Sequence, residues 1–300
     1  MDRAVDQEVE PVSYARTMSA WRKAGTPVEA VDAHAHVFAR GLPLASVVRH
    51  VPDYDASLDA YVAHLVANRV THAVLVQPSF LGTDNTYFVD VLRRYPNRFR
   101  GVAVIDHSIT DDELGALNRA GVVGMRLNLV GLPIPDFGAQ VWRALFARIN
   151  ALGWHVEIHR EAADLQVIVA SLLKQSCTLV LDHFGRPSPV LGKRDPGFRH
   201  LLSLANTGRV WVKLSAAYRN SLVGDGTEAA RGVARALRDA FTPDRLVWGS
   251  DWPHTQHRGR AGFDATYAAL ARWLPDSDER TRVLRDSPKT LFRFDQRSYA

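Results

Sequence analysis

Trp154-His155-Val156-Glu157-Ile158-His159 alternates apolar with ionisable side chains, and successive side chains of a strand point to opposite faces. Trp154, Val156 and Ile158 then meet a covering layer, which turns His155, Glu157 and His159 to the inside of their sheet. Charges on an inner face are costly unless paired or bound to something. A strand of this kind suits a closed barrel whose polar residues collect at the C-terminal mouth.

Seven further runs of similar length flank it: 30–34, 72–77, 101–106, 122–128, 178–183, 210–214 and 245–250. Helical patterns fill the gaps, including 55–68, 86–94, 111–119, 139–151 and 228–241. Eight strands joined by right-handed crossovers close into a (β/α)8 TIM barrel, whereas an open doubly wound sheet stops sooner. No glycine-rich phosphate loop follows a strand, which argues against a dinucleotide-binding sheet. The expected organisation is an N-terminal arm, residues 1–29, and one barrel domain, residues 30–300. Strand parity also places Asp32, His34 and His36 together on the inner face of the first strand, and Arg126 with Asn128 on that of the fourth.

The 300 residues carry a formal charge of +5, with 46% hydrophobic content and one cysteine, Cys177. One cysteine excludes a disulfide framework, and the absence of a leader pattern points to the cytoplasm. No apolar run reaches the length of a membrane helix. The basic residues are spread along the chain without aromatic interleaving, so a small anionic substrate is expected and nucleic acid is not. A homo-oligomer, with the arm over a neighbouring barrel's mouth, is compatible with this layout.

The ionisable signals fall at strand ends: His34-Ala35-His36, His159, Asp182-His183 and Ser250-Asp251-Trp252-Pro253-His254. Two residues apart on one strand, His34 and His36 face the same way and can bind one metal ion as neighbouring ligands. Packing alone does not readily put His34, His36, His159, His183 and Asp251 at the same end of a barrel. Lys213, inward on the seventh strand, reads as a cation paired with Glu157 rather than as an imine-forming lysine.

With these motifs on the page, the chain resembles the amidohydrolase superfamily from about Val31 to Phe294. Within it, the amidohydrolase-2 group of 2-pyrone-4,6-dicarboxylate lactonases and related lactone hydrolases is most similar. The stretches that carry the resemblance are Val31-Asp-Ala-His-Ala-His-Val-Phe38, Gly82-Thr-Asp-Asn85, Gly101-Val-Ala-Val-Ile-Asp106, Gly153-Trp-His-Val-Glu-Ile-His159, Asp182-His-Phe-Gly-Arg-Pro187 and Trp248-Gly-Ser-Asp-Trp-Pro-His254.

The resemblance implies a hydrolase that opens a small carboxylated lactone, with Asp251 as general base and His183 beside the substrate carbonyl. Substrate contacts are expected from Ser79, Arg126, Asn128, Arg186, Arg219 and His254, since the planar arginine fork suits a carboxylate or sulfonate. Ser79 lacks the strand-to-helix elbow of a serine nucleophile. The pyrone-dicarboxylate lactonases are metal-free, carry an aromatic hydroxyl in place of His159, and have a second arginine where this chain continues Leu129-Val130-Gly131. His159 restores a ligand position of the metal-bearing members. The expected cofactor is therefore one divalent ion, Zn²⁺, held by His34, His36, His159 and Asp251; without a metal, the histidines themselves would polarise the carbonyl. Nonoxidative decarboxylation is the rival chemistry, and a catalytically silent ligand-binding barrel the non-enzymatic alternative.

Overall fold

A computed structural model describes residue 21 and residues 25–295. Of the expected arm, residues 1–20 and 22–24 lie outside the described residues. Trp21 packs on Phe99 with Arg98 over its ring.

Eight parallel strands run in sequence order, each neighbour paired with the next. They are β1 (Val31–Ala35), β2 (His72–Val76), β3 (Phe99–Ala103), β4 (Val122–Asn128), β5 (His155–His159), β6 (Thr178–Leu181), β7 (Val210–Ser215) and β8 (Leu246–Gly249). A helix follows each strand: α1 (Leu58–Ala67), α2 (Thr86–Arg94), α3 (Asp111–Arg119), α4 (Gln140–Ala151), α5 (Ala162–Lys174), α6 (Pro196–Ser203), α7 (Thr227–Phe241) and α8 (Phe263–Trp273). Their starts follow local chemistry. Thr110 and Glu113 form a reciprocal capping box on α3, Ser57 caps α1, and Asp195 before Pro196 caps α6, each satisfying amides that a first turn leaves unpaired. The ring closes between β8 and β1 through backbone bonds from Asp251 N–H to the His34 carbonyl, 2.8 Å, and from His36 N–H to the Trp252 carbonyl, 2.8 Å.

Two expectations need correction. The third strand begins at Phe99, two residues before the expected start. Arg100 looks like a strand breaker, yet it turns its guanidinium to the barrel floor and donates to the Pro96 and Phe99 carbonyls. Asp32 does not share the inner face with His34. The β1 register shifts between Asp32 and Ala35, and the Asp32 carboxylate accepts from Tyr61 Oη at 2.8 Å and from Ser250 Oγ at 2.5 Å, in the seam between β1 and β8. A bulge of this kind changes which side chains point inward.

The inside of the barrel is layered. Val31, Val74, Val102, Val123, Val180 and Val247 form an apolar cluster with Phe292, which the C-terminal segment brings in from below. Trp154, Val156 and Ile158 face the helices in the main core, as their parity requires. Above the apolar layer lies one of charge.

Candidate active site

Glu157, Lys213, Arg126 and Asp182 meet inside the barrel, all essentially removed from solvent. Lys213 Nζ lies 2.5 Å from Glu157 Oε2 and 3.6 Å from Asp182 Oδ1. Arg126 donates to Asp182 Oδ2 from Nη2 at 2.8 Å and from Nε at 3.1 Å. Two cations facing two carboxylates keep the layer near neutrality, the condition for burying charge at all. Burial and the neighbouring Asp182 push the Glu157 carboxyl up, while the Lys213 and Arg126 charges pull it back. Burial also opposes the Asp182 charge, but the Arg126 and Lys213 charges, with a hydrogen bond from His34, outweigh it and hold that carboxyl well below its ordinary value.

The mouth stands on this layer. His34 Nδ1 is 3.0 Å from Lys213 Nζ and 3.3 Å from Asp182 Oδ1, and its Nε2 points up to His36 Nε2, 3.3 Å away. His36 Nδ1 sits 2.8 Å from the Val76 carbonyl; that contact makes it the protonated nitrogen and leaves a lone pair on Nε2. Asp251 Oδ1 is 3.6 Å from each of these Nε2 atoms. A Cβ on Gly249 would come within 2.7 Å of His34 Cβ, so this glycine lets β8 approach β1 closely enough to bring Asp251 to the histidines.

These three donors fit a divalent ion. Ligand bonds of about 2.0–2.1 Å in a tetrahedral arrangement require donor separations of roughly 3.3 Å. Asp251 Oδ1 is buried without a hydrogen-bond partner among the described residues. Burial, with Lys213 next, holds His34 well below the usual imidazole value, so the ring is neutral, as a ligand must be. Of the four expected ligands, His34, His36 and Asp251 come together, and His159 joins neither cluster of ligand atoms within 4.8 Å of one another among the described residues. His159 packs edge-on against His183, ring centres 4.7 Å apart. His183 Nε2 lies nearer the ligands, 3.9 Å from Asp251 Oδ1. Its Nδ1 is fixed by Ser215 Oγ at 2.8 Å, and burial lowers its pKa to about 3.

Asp251 is held from one side only. Its Oδ2 accepts from Tyr218 Oη at 2.5 Å and from Arg219 Nε at 3.0 Å, which leaves Oδ1 for the histidines. Burial opposes the charge, yet Arg219 outweighs it, and the carboxyl stays well below its ordinary value. Asp251 (φ 58°) and His183 (φ 53°) both adopt the left-handed backbone region. That conformation costs a branched or bulky residue about 1–3 kcal/mol and persists where surrounding contacts enforce it.

A cavity of about 380 Å³ opens over this group. Of the expected substrate contacts, Ser79, Arg126, Asn128, Arg186 and Arg219 line it, together with His36, His159, His183 and Asp251. His254 does not line it; the ring is buried, with Nδ1 3.4 Å from Tyr218 Oη. Most of the expected anion contacts already have partners: Arg126 is bound to Asp182, Arg219 to Asp251, and Arg186 lies 3.6 Å from Glu161. Among the lining residues that sequence reasoning missed are Tyr218, Arg49, His50, His257 and Arg260. Tyr218 directly precedes an expected contact in the turn after β7, a signal that was present. Arg49 lies in the long β1–α1 connection, where no local pattern marks it.

No helix among the described residues is long and apolar enough to cross a membrane. A 2-pyrone-4,6-dicarboxylate hydrolase of Comamonas testosteroni is 33% identical over 283 residues, 89% of this chain and 90% of that protein. A 4-sulfomuconolactone hydrolase of Hydrogenophaga intermedia is 30% identical over 272 residues, 87% of this chain and 88% of that protein. The crystal structure of a candidate 2-pyrone-4,6-dicarboxylic acid hydrolase of Pseudomonas putida superposes with a TM-score of 0.85 at 42% identity, covering 90% of this chain and all of that one. The amidohydrolase family model matches residues 31–294, from the first residue of β1 to just past the barrel floor, and the chain belongs to that family.

Proposed function

We propose that the protein hydrolyses a small lactone that carries an anionic substituent. The observation that carries this reading is the division of labour within Asp251. One oxygen is fixed by Tyr218 and Arg219, while the other, unpartnered, faces the histidines beneath an arginine-lined cavity. The known relatives named for lactone hydrolysis support the same chemistry.

Water bound beside Asp251 Oδ1 attacks the lactone carbonyl carbon and passes its proton to that oxygen. The carbonyl π electrons move onto the carbonyl oxygen, and His183 Nε2–H donates to it. Collapse re-forms the carbonyl and breaks the ring C–O bond, and Asp251 returns the proton to the departing oxygen. The product is a ring-opened hydroxy acid, whose new carboxyl ionises and acidifies the medium. Arg219 orients the base and adds positive charge beside the substrate's anionic group.

His34, His36 and Asp251 would hold one divalent ion, Zn²⁺ in our reading. When bound, it supplies a more acidic water and a polarised carbonyl. Such help matters here, because a carboxylate held as low as Asp251 is a weak base towards ordinary water.

A pH-indicator assay against carboxylated, sulfonated and sugar lactones, each run with added Zn²⁺ and with chelator, tests the reading. Ring opening of an anionic lactone is the expected result, with metal dependence reporting on the ion. No turnover across the panel, with CO₂ released from a carboxylated aromatic acid instead, would replace it with decarboxylation.

A further inference from the structure

Ser215, the last residue of β7, is buried beside the His183 ring, with Oγ 2.8 Å from Nδ1. Among the described residues its hydroxyl makes no other hydrogen bond. His183 is buried as well, and burial lowers its pKa to about 3, so the ring is neutral and carries one N–H and one lone pair. Which nitrogen holds that proton decides what the ring can do at the mouth.

The two arrangements are unequal. A proton on Nδ1 would be donated to Ser215 Oγ, and the serine O–H, with no other acceptor among the described residues, would be left buried and unpaired. An unpaired buried donor disfavours an arrangement by about fivefold or more. If Ser215 donates to Nδ1 instead, the hydroxyl is satisfied and the ring proton sits on Nε2. That nitrogen lies 3.9 Å from Asp251 Oδ1, on a ring that lines the cavity. The charge of Asp251 biases the ring the same way.

Two further sets of contacts hold the ring in this orientation. Asn220 Nδ2 donates to the His183 carbonyl at 2.7 Å, and Asn220 Oδ1 accepts from Arg186 Nη1 at 3.3 Å. These bonds tie the left-handed turn after β6 to the turn after β7. The ring is also flanked by those of His34 and His159, whose centres are 5.0 and 4.7 Å away. Turning it over would displace both and break the bond to Ser215.

Resting on the lactone-hydrolase reading, we propose that Ser215 is a positioning residue: by donating to Nδ1 it fixes His183 as the Nε2–H tautomer, the donor that the developing negative charge on the lactone carbonyl oxygen requires. A donor aimed before the carbonyl electrons move needs no reorganisation when they do. The same assignment leaves no lone pair on Nε2, so His183 serves the substrate and stays outside the set formed by His34, His36 and Asp251.

The test joins heteronuclear NMR of the full chain, with isotopically labelled histidine nitrogens, to steady-state kinetics. The His183 signals, identified by their loss in His183→Gln, should show Nε2 protonated and Nδ1 bare but hydrogen-bonded. In Ser215→Ala the Nδ1 resonance should move downfield as its lone pair loses the O–H. Its kcat should fall about tenfold to a hundredfold while KM stays within about threefold. Ser215→Thr, which keeps the hydroxyl, should restore most of the lost rate, and Ser215→Cys, a weaker donor of similar size, should fall between. Thermal melts check that each variant is folded. A parent protein with the proton on Nδ1 overturns the proposal, as does parental kcat in both Ser215→Ala and Ser215→Cys, or a loss confined to KM, which would make Ser215 a substrate contact. The tautomer is read without turnover. A protein that opens no lactone yet shows Nε2–H, with the Nδ1 shift lost in Ser215→Ala, would therefore refute the hydrolase reading and leave the control of His183 by Ser215 standing.

Discussion

Tyr218 Oη lies 2.5 Å from Asp251 Oδ2, and the two side chains are almost entirely buried. A hydrogen bond to the ionised form of a carboxyl favours that form, so the tyrosine helps keep Asp251 charged while leaving Oδ1 free to act. Removing the hydroxyl should raise the Asp251 pKa. If turnover requires ionised Asp251, Tyr218→Phe should move the acid limb of the kcat/KM profile to higher pH and lower kcat about tenfold to a hundredfold. A lowered kcat with an unmoved acid limb would assign Tyr218 to substrate contact instead.

Asp251→Asn separates charge from shape. The amide keeps the side-chain volume but cannot accept the proton from water, and it is a poorer metal ligand. Turnover should drop by at least about 10²–10⁴, with a thermal midpoint close to that of the parent protein. Near-parental turnover would eliminate Asp251 as the base.

Much of this site was legible because barrel chemistry collects at strand ends. His34, His36, His183 and Asp251 each stand at or just past a strand, and alternation alone turned Glu157 and His159 inward. The errors have local causes. Asp32 was assigned to the inner face because parity assumes a regular strand, and the β1 bulge breaks that regularity. His159 was grouped with His34, His36 and Asp251 on the family resemblance, and the structure leaves it outside their cluster of ligand atoms; His183 follows β6 in a left-handed turn whose side-chain direction no periodicity encodes. Arg49 was invisible, since its place beside Asn128 depends on how a 22-residue connection, His36 to Ser57, folds back over the mouth.

Metal binding discriminates between the two histidine assignments. After chelation and dialysis, equilibrium binding should show one Zn²⁺ per chain. His36→Asn should weaken that binding about tenfold or more, whereas His159→Asn should leave it nearly unchanged, because His159 lies outside the ligand-atom clusters. Equal losses in the two variants would restore His159 to the ligand set.

The buried charge layer makes a strong stability prediction. Lys213→Met leaves Glu157 and Asp182 without one of their two cations, and breaking a buried ion pair from one side costs about 3–5 kcal/mol. Lys213→Met combined with Glu157→Gln should recover part of that loss, which urea unfolding of the two single variants and the double variant would measure as a coupling energy. Strict additivity would mean that the 2.5 Å contact contributes nothing to the fold.

Acid sensitivity should trace in part to the barrel floor, far from the mouth. His72 is buried against Phe294, with Nδ1 2.9 Å from Thr71 Oγ1. Burial, followed by Arg98 and Arg100, lowers its pKa to about 3. In the unfolded chain the same ring takes up a proton near pH 6.5. Between these values the unfolded state binds more protons, so stability rises with pH across the window and falls as pH drops from about 6.5 towards 3; above 6.5 the term is absent. The slope is about 1.4 kcal/mol per pH unit, or roughly 2–3 kcal/mol between pH 6.5 and 4.5. His155 and His183, both also lowered to about 3 by burial, act in the same direction. His72→Gln should therefore be less destabilised than the parent protein on acidification, and the difference between their urea unfolding energies should shift by that amount between pH 7 and pH 4.5. An energy difference that is the same at both pH values would mean that His72 is already protonated in the folded barrel, with Arg98 and Arg100 failing to keep it neutral.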